Sequence, residues 1–564
     1  MCGIFSILNL SRTNSSIMDD FNKGSIRGPE FSSFKCIENA NCIMGFHRLA
    51  INGLDDISNQ PFNIDNIMCI CNGEIYNHTT LYQHMNDVKI ETNSDCEVII
   101  HLYKKYGFKQ TVQMLDGVFA IVLIDMRNLN KIKAYVTRDP HGVRPLYEMK
   151  INNQYWFASE MKMMSNTYNK SNELKNNSTQ FSPGTYSKFK LDNNNVWNKK
   201  KSVTYCCLPF SSIERTLCLD RIHGDIRRMF YAAVKKRVEN SDRPIACLLS
   251  GGLDSSIVAS IVARELGFKG KQLETYSIGM EGGEDLKYAK MVADHIGSKH
   301  TTITYSTDVF LNAIPEVIYA IESYDTTTVR ASVGNYLVAK YISRNSDAKV
   351  IFNGDGSDEL MGGYLYFHYS PDSISFDREC KRLLTNIHYF DVLRSDRTIS
   401  CHGLEARTPF LDRGWVEHYL SLNPTIRNHV IHGKQEKYLF RDAFDHPFDF
   451  MENGETVKKN LLPNEVLRRQ KEAFSDGVSS KVKSWYEIIQ EKFQDDTIWE
   501  KEVGKNNTTF DPSKSREDNY YIHIFNKHYN FEKSKHLIPY YWMPRFIEAT
   551  DSSARTLNIH ENNK

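Results

Sequence analysis

The chain has 564 residues, 41% of them hydrophobic and 25% charged, which is ordinary globular composition and too much chain for a single hydrophobic core. Lysine and arginine number 70 against 69 aspartates and glutamates, so no net field recruits nucleic acid or an anionic membrane, and small molecules are the expected partners. No apolar run approaches the roughly 20 residues of a bilayer span, no tripartite leader opens the chain, and the 12 cysteines show neither disulfide-scaffold density nor zinc spacing, so reduced thiols and a cytoplasmic location are expected.

Up to about Tyr186, short apolar runs at 2–8, 42–51, 67–71, 118–125 and 134–138 are separated by turns, a pattern that predicts the strands of an α+β sandwich. Ser94-Asp95 offers a cap for a helix beginning near Asp95. Residues 166–201 are rich in Asn, Ser and Lys, with Pro183-Gly184 as a turn, and the domain junction is placed at 186–205. Beyond Leu219, helical patterns such as 221–238 alternate with compact strands at 245–249, 275–278 and 350–352, which predicts a doubly wound parallel α/β core. From 375 onward the pattern is mostly helical, with a polar surface loop at 504–515. The expected units are a first domain over 2–186, a second over 205–540 and a tail over 541–564.

Cys2 follows the initiator directly, so removal of Met1 makes one residue carry both a thiol and a free α-amine. The amine titrates at about 7.7–8.0 and the thiol at about 8.5, so the amine can accept the thiol proton without a histidine. Alone, a cysteine at this position reads as whatever followed the start codon, Arg48 as a surface ion pair, Asn72-Gly73 as a tight turn and Asp95 as a helix cap. Together and in this order, Cys2-Gly3-Ile4-Phe5, His47-Arg48-Leu49, Asn72-Gly73-Glu74-Ile75-Tyr76-Asn77 and Ser94-Asp95 resemble the class II glutamine amidotransferases, an N-terminal-nucleophile family. The resemblance implies an αββα sandwich in which Cys2 attacks the glutamine amide and the Asn72 side chain and Gly73 N–H form the oxyanion hole. It puts Arg48 on the substrate carboxylate, and Asp95 with Glu74 nearby on its α-ammonium. An Arg fork and preorganised amide donors suit those tasks. Ser6 departs from the small or apolar residue of many relatives, with little expected consequence.

Ser250-Gly251-Gly252-Leu253-Asp254-Ser255-Ser256 joins a predicted strand to a predicted helix. Glycines let backbone N–H groups approach an anion, the helix N-terminus favours it, and the serines add donors. The chain has no Walker A pattern. The loop resembles that of the ATP pyrophosphatases, which implies ATP cleavage between the α and β phosphates and an acyl adenylate. On that resemblance Leu249, Ser250, Gly251, Gly252, Asp254, Ser255 and Ile278 belong to the ATP pocket, although Leu249 and Ile278 alone read as core strand residues. Asn353-Gly354-Asp355-Gly356-Ser357-Asp358-Glu359 follows the 350–352 strand, where parallel sheets place ligands. The resemblance adds Asn353 and Gly354 to the ATP pocket and makes Asp254 and Asp358 the carboxylates for magnesium, with ATP as co-substrate.

Segments 322–332, 403–412, 471–477, 541–544 and 549–557 resemble the asparagine synthetases, eukaryotic members above all, over nearly the whole chain. That implies aspartate as acceptor, a β-aspartyl-AMP intermediate, Asp355 and Lys471 in catalysis, and Thr327, Arg330 and Lys471 on the pyrophosphate and aspartate side. It also implies an enclosed ammonia passage and a homodimer, for which no sequence feature speaks. One segment departs: the family usually reads Ser-Gly-Glu-Gly-Ser-Asp-Glu, with Asn353 and Asp355 here in place of the first serine and the glutamate. Aspartate keeps the carboxylate but reaches about 1.5 Å less, so retained chemistry with altered efficiency is expected. The rival readings are a β-lactam synthetase-like enzyme, disfavoured by intact Cys2, Arg48, Asn72 and Asp95; a tRNA-modifying pyrophosphatase, disfavoured by the balanced charge; and a decayed regulatory homologue, to which Asn353 and Asp355 lend weight.

Overall fold

In β1 (Gly3–Leu8) Ile4 and Leu8 point into one apolar cluster and Phe5 and Ile7 into another, as a side-chain period of two dictates, so this strand is stable only when covered on both faces. The structure is a computed structural model that describes every residue except 11–14, 171–177, 213–217, 453, 472–477, 480–482, 505–508, 540–541 and 550–564. Eleven more strands of the first half follow in order: β2 (Phe31–Ile37), β3 (Cys42–Arg48), β4 (Phe62–Ile64), β5 (Ile67–Ile75), β6 (Gly117–Asp125), β7 (Lys133–Arg138), β8 (Tyr147–Ile151), β9 (Gln154–Ala158), β10 (Ser178–Gln180), β11 (Thr185–Leu191) and β12 (Trp197–Thr204). They form two six-stranded sheets, β10-β8-β9-β1-β3-β2 and β12-β11-β7-β6-β5-β4.

Between the sheets Ile4, Leu8, Met44 and Phe46 meet Ile70, Ala120, Val122 and Ile124. Outside them, Ile17 and Phe21 of helix Ser15–Asn22 cover Phe5 and Ile43, and Val98, Ile99 and Leu102 of helix Val98–Tyr106 cover Cys69, Ile121 and Leu123. This is the expected αββα arrangement. Ser94 Oγ accepts from Cys96 N at 3.3 Å and starts a turn at Asp95 that runs into the helix. The sandwich extends past Tyr186, because β11 pairs with β7 and β12 with β11, so the first unit closes at Thr204. Composition disguised these strands: the inward residues are Ser187 and Phe189, while Lys190 and Lys199 to Lys201 face water.

The second half carries a five-stranded parallel sheet of β13 (Ile245–Leu248), β14 (Glu274–Gly279), β15 (Lys299–Thr304), β16 (Val350–Phe352) and β17 (Glu405–Arg407), ordered β15-β14-β13-β16-β17. The two strands not expected are the outer ones: β15 is Lys-His-Thr-Thr-Ile-Thr and β17 is Glu-Ala-Arg, too polar to read as core. Strand order reverses direction between β13 and β16, which opens a crevice at their carboxyl ends. Helices Leu219–Glu239 and Leu253–Phe268 lie where the periodicity places them. Beyond 375 helices dominate, interrupted by the antiparallel hairpin of β18 (Pro447–Glu452) and β19 (Glu455–Asn460). Part of the 504–515 segment and residues 550–564 of the tail lie outside the described residues, among which no helix is long and apolar enough to cross a membrane.

The halves share cores. Leu49, Ile51, Tyr76, Val118 and Val143 of the sandwich pack in one cluster with Ile222, Ile226, Phe230 and Val238. Beside it, a buried ion network joins Arg27 to Glu160 at 2.9 Å and to Asp396 at 2.8 Å, and Arg397 to Glu160 at 2.8 Å and to Glu322 at 3.1 Å. Charges this deeply buried persist only when paired, so these contacts fix the orientation of one domain on the other.

Candidate active site

Cys2 precedes β1, and the Gly3–His47 register sets it beside the end of β3, with Sγ 3.7 Å from the Leu49 carbonyl. Arg27 Nε donates to the Cys2 carbonyl at 2.9 Å, so the interdomain ion network also holds this residue's backbone. Burial pushes the thiol up from its usual value, and the amine at the chain start pulls it back. Cys2 packs against the cluster containing Ile70, and Asn72 lies two residues farther along β5 on the same face. The Asn72 side chain is fully buried, yet neither its Nδ2 nor its Oδ1 has a hydrogen-bond partner. A buried amide unpaired at both ends is costly unless a ligand uses it. At Gly73 a Cβ would lie 2.2 Å from the Val118 carbonyl oxygen, so the close approach of β6 admits only glycine.

Arg48 closes β3 and turns its guanidinium into the 52–59 loop, with Nη1 2.8 Å from Asp55 O and 2.7 Å from Asn59 Oδ1, and Nη2 bonded to Gly53 O. It is therefore not a surface ion pair. Glu74 and Asp95, both buried, converge on Asn240 Nδ2 at 3.0 and 3.4 Å, and Asp95 also accepts from Ile75 N at 2.6 Å. Burial pushes both carboxyls above the ordinary carboxylate range. An ammonium ligand would relieve that cost. Asn240 comes from the second domain and carried no sequence signal.

At the crevice of the parallel sheet, Leu249 N donates to Tyr276 O at 2.8 Å and launches the serine-glycine loop. Gly251 has φ +75°, and a Cβ there would stand 2.5 Å from Ala289 N, so both conformation and space require glycine. Ser250 Oγ lies 3.0 Å from Ser255 Oγ and accepts from Gly252 N at 3.3 Å. The 353–358 loop touches this one: a Cβ on Gly354 would come 2.8 Å from Ser255 N, and Ser357 Oγ donates to Asp254 Oδ1 at 2.6 Å. The two loops enclose a cavity of about 250 Å³. Of the residues assigned from sequence to ATP, pyrophosphate or metal, all line it except Gly251, whose Cα faces Tyr288 and Ala289.

Asp254 and Asp358 face each other across two ammonium groups. Lys437 Nζ is 2.7 Å from Asp254 Oδ2 and 2.5 Å from Asp358 Oδ1, and Lys471 Nζ is 2.7 Å from Asp358 Oδ2. Burial alone would raise Asp358, but the two lysines outweigh it and hold the carboxyl below its usual range; reciprocally, Asp358 and Asp254 hold Lys471 above its own against burial. Two converging carboxylates, with no third ligand-type residue joining them among the described residues, fit magnesium, which takes one or two carboxylates plus phosphate oxygens. Thr327 Oγ1 is buried without a hydrogen-bond partner. Arg330 lines the cavity, but Nε and Nη2 grip Glu517 at 2.7 and 2.6 Å, so part of its charge is committed to that carboxylate.

The cavity also holds residues without a legible sequence signal. Lys437, in a left-handed conformation with φ +59°, is one lysine in a polar run. Asp391 and Arg394 come from helix Asp391–Ser400, where burial pushes Asp391 up to about 7 while Arg394 binds it and reaches Asp355 Oδ1 at 3.1 Å. Of the 471–477 segment only Lys471 belongs to the described residues.

Residues 1–196 match a family model described as a glutamine amidotransferase domain, and residues 225–376 and 370–523 match one described as asparagine synthase. A Gallus gallus protein named asparagine synthetase [glutamine-hydrolyzing] is 40% identical over 583 residues, covering 100% of this chain and 99% of that protein. The Homo sapiens protein of the same name is 39% identical over 588 residues, with the same coverage. With both halves matched in order and the full length shared with such relatives, the chain belongs to the glutamine-hydrolysing asparagine synthetase family.

Proposed function

We propose that the chain converts aspartate to asparagine, taking ammonia from glutamine at Cys2 and cleaving ATP to AMP and pyrophosphate. The observation that carries this reading is that one strand serves both sites: the Arg407 carbonyl in β17 accepts from Asn353 N at 3.2 Å, while its guanidinium stands 3.4 Å from Glu74 in the glutamine pocket.

Once Met1 is removed, the Cys2 amine takes the Sγ proton and sulfur attacks the glutamine side-chain carbonyl. Asn72 Nδ2 and the Gly73 N–H receive the oxyanion, Arg48 the substrate carboxylate, and Glu74 with Asp95 the ammonium. Collapse expels ammonia with the returned proton, and water releases glutamate from the thioester. Asn72→Ala should slow glutamate release by about 10²–10³-fold, as loss of one oxyanion donor does, with ammonia-driven synthesis preserved; paired assays of the two reactions check this.

Ammonia must stay out of bulk water to remain unprotonated. Met1 is buried, with its amine 3.4 Å from Leu404 O just before β17. Burial lowers that amine to about 6, against the pull of the Glu405 carboxylate. At the crevice, an aspartate carboxylate oxygen attacks the α-phosphorus and pyrophosphate leaves. The Ser250 to Gly252 loop, Lys437, Lys471 and Arg330 receive the developing charge, and Thr327 Oγ1 adds a donor. Asp254 and Asp358 would hold magnesium, whose bound chemistry is neutralisation of phosphate oxygens. Leu249 and Ile278 wall the adenosine side. Ammonia then displaces AMP from the acyl carbon, and Asp355 takes the proton it sheds. The reduced thiol this requires suits a cytoplasmic setting.

The test is direct: purified chain with glutamine, aspartate, ATP and magnesium should yield asparagine, glutamate, AMP and pyrophosphate. ADP in place of AMP contradicts the assignment.

A further inference from the structure

Asn353 is 4% exposed and stands at the carboxyl end of β16, with its amide turned toward the reaction loop. Nδ2 donates to Asp355 Oδ2 at 2.7 Å and to Ser395 Oγ at 2.6 Å. The other carboxylate oxygen of Asp355 accepts from Arg394 at 3.1 Å. Arg394 and Ser395 are consecutive on helix Asp391–Ser400, and the Asn353 backbone is itself tied to β17 through the Arg407 carbonyl at 3.2 Å. Asp355 is thus gripped on both oxygens, from the sheet and from the helix. A carboxylate offers about four lone-pair sites, and the two bonds leave the others for substrate.

We infer that Asn353 is a positioning residue that sets the reach and rotamer of Asp355, acting as one unit with it. This rests on the reading that Asp355 works at the synthetase centre. An aspartate has one torsion fewer than a glutamate and reaches about 1.5 Å less, so its place is fixed by what holds it. The long amide of Asn353 does this from two residues away, and its second hydrogen, spent on Ser395, prevents the amide from swinging with the carboxylate. A serine at 353 could not span to Asp355 in this geometry, whereas a glutamate at 355 would need no such arm.

The experiment is a length-compensation cycle on the full chain, read as kcat and KM for ammonia-dependent asparagine formation, with glutamate release as the check that the fold is intact. Asn353→Ser should lower kcat by about 10–10²-fold, the scale of an ångström-sized misplacement. Ser395→Ala, which frees one end of the amide, should lower kcat in the same sense by less. Asn353→Ser combined with Asp355→Glu should regain most of the loss, because the shortened arm and the lengthened carboxylate offset each other. Losses that add in the double variant, or an Asn353→Ser chain with unchanged kcat, overturn the inference. Asp355→Asn separates the underlying reading: if that chain retains full synthetase activity, Asp355 is not at the centre, whereas a dead Asp355→Asn beside an unaffected Asn353→Ser condemns only the positioning role.

Discussion

A Cys2→Ala chain forms asparagine from ammonium salts at the normal rate and forms none from glutamine. The expected drop in glutamine-dependent activity is at least about 10³-fold, because nucleophile removal takes away the whole covalent route and leaves only binding and the oxyanion donors. The geometry makes the change selective. Sγ has one hydrogen-bond contact, 3.7 Å to Leu49 O, and belongs to no buried ion pair, so alanine removes the chemistry without unpairing a charge. The second site, fixed by loops on β13 and β16, contains no atom of Cys2. Equal loss with both nitrogen sources would show that the Cys2 side chain instead supports the packing of the two domains, since the backbone carbonyl held by Arg27 at 2.9 Å is kept in the alanine chain.

Asp254→Asn gives the reverse phenotype: glutamate release continues and aspartate-dependent pyrophosphate release falls by on the order of 10³-fold, the several kcal/mol that metal neutralisation of a phosphoryl group supplies. Asparagine keeps the shape and an oxygen for Ser357 Oγ, now 2.6 Å from Asp254. What it loses is one of two negative charges facing Lys437 and Lys471, so the group of four goes from neutral to net cationic and repels a metal ion. Raising magnesium should recover part of the rate, and a magnesium titration of pyrophosphate release reads this out. An unchanged rate at every magnesium concentration would remove Asp254 from the metal site.

The two substitutions in the 353–359 segment bear on whether the synthetase half has decayed. Decay leaves polar residues idle, yet Asn353 and Asp355 bond to each other at 2.7 Å and to Ser395 and Arg394 on a neighbouring helix.

What could be read from sequence was set by backbone demands. Gly73, Gly251 and Gly354 sit where a Cβ meets another chain segment within 2.2–2.8 Å, and Gly251 also needs a positive φ, so the motifs that contain them survive as recognisable strings. The strands of both cores were legible wherever apolar residues alternate or run, as in β1, β6, β13 and β16. Charged or polar strands were not: in β17 the buried Glu405 meets Arg144 at 3.3 Å and Arg407 meets Glu74 at 3.4 Å across the domain interface, and local pattern contains no trace of such partners. The same holds for Lys437, 183 residues from the Asp254 it neutralises, and for Asn240, 166 residues from Glu74. These roles exist only after the fold brings distant segments together.

Ammonia made at Cys2 is expected to reach the crevice without mixing with solvent. The chain, freed of Met1, is incubated with glutamine labelled with ¹⁵N in its side-chain amide, aspartate, ATP and magnesium, in the presence of unlabelled ammonium. The ¹⁵N content of the asparagine amide is then compared with that of free ammonium in the same tube. Asparagine more enriched than the surrounding pool is the predicted result; identical enrichment would mean that the nitrogen passes through bulk water.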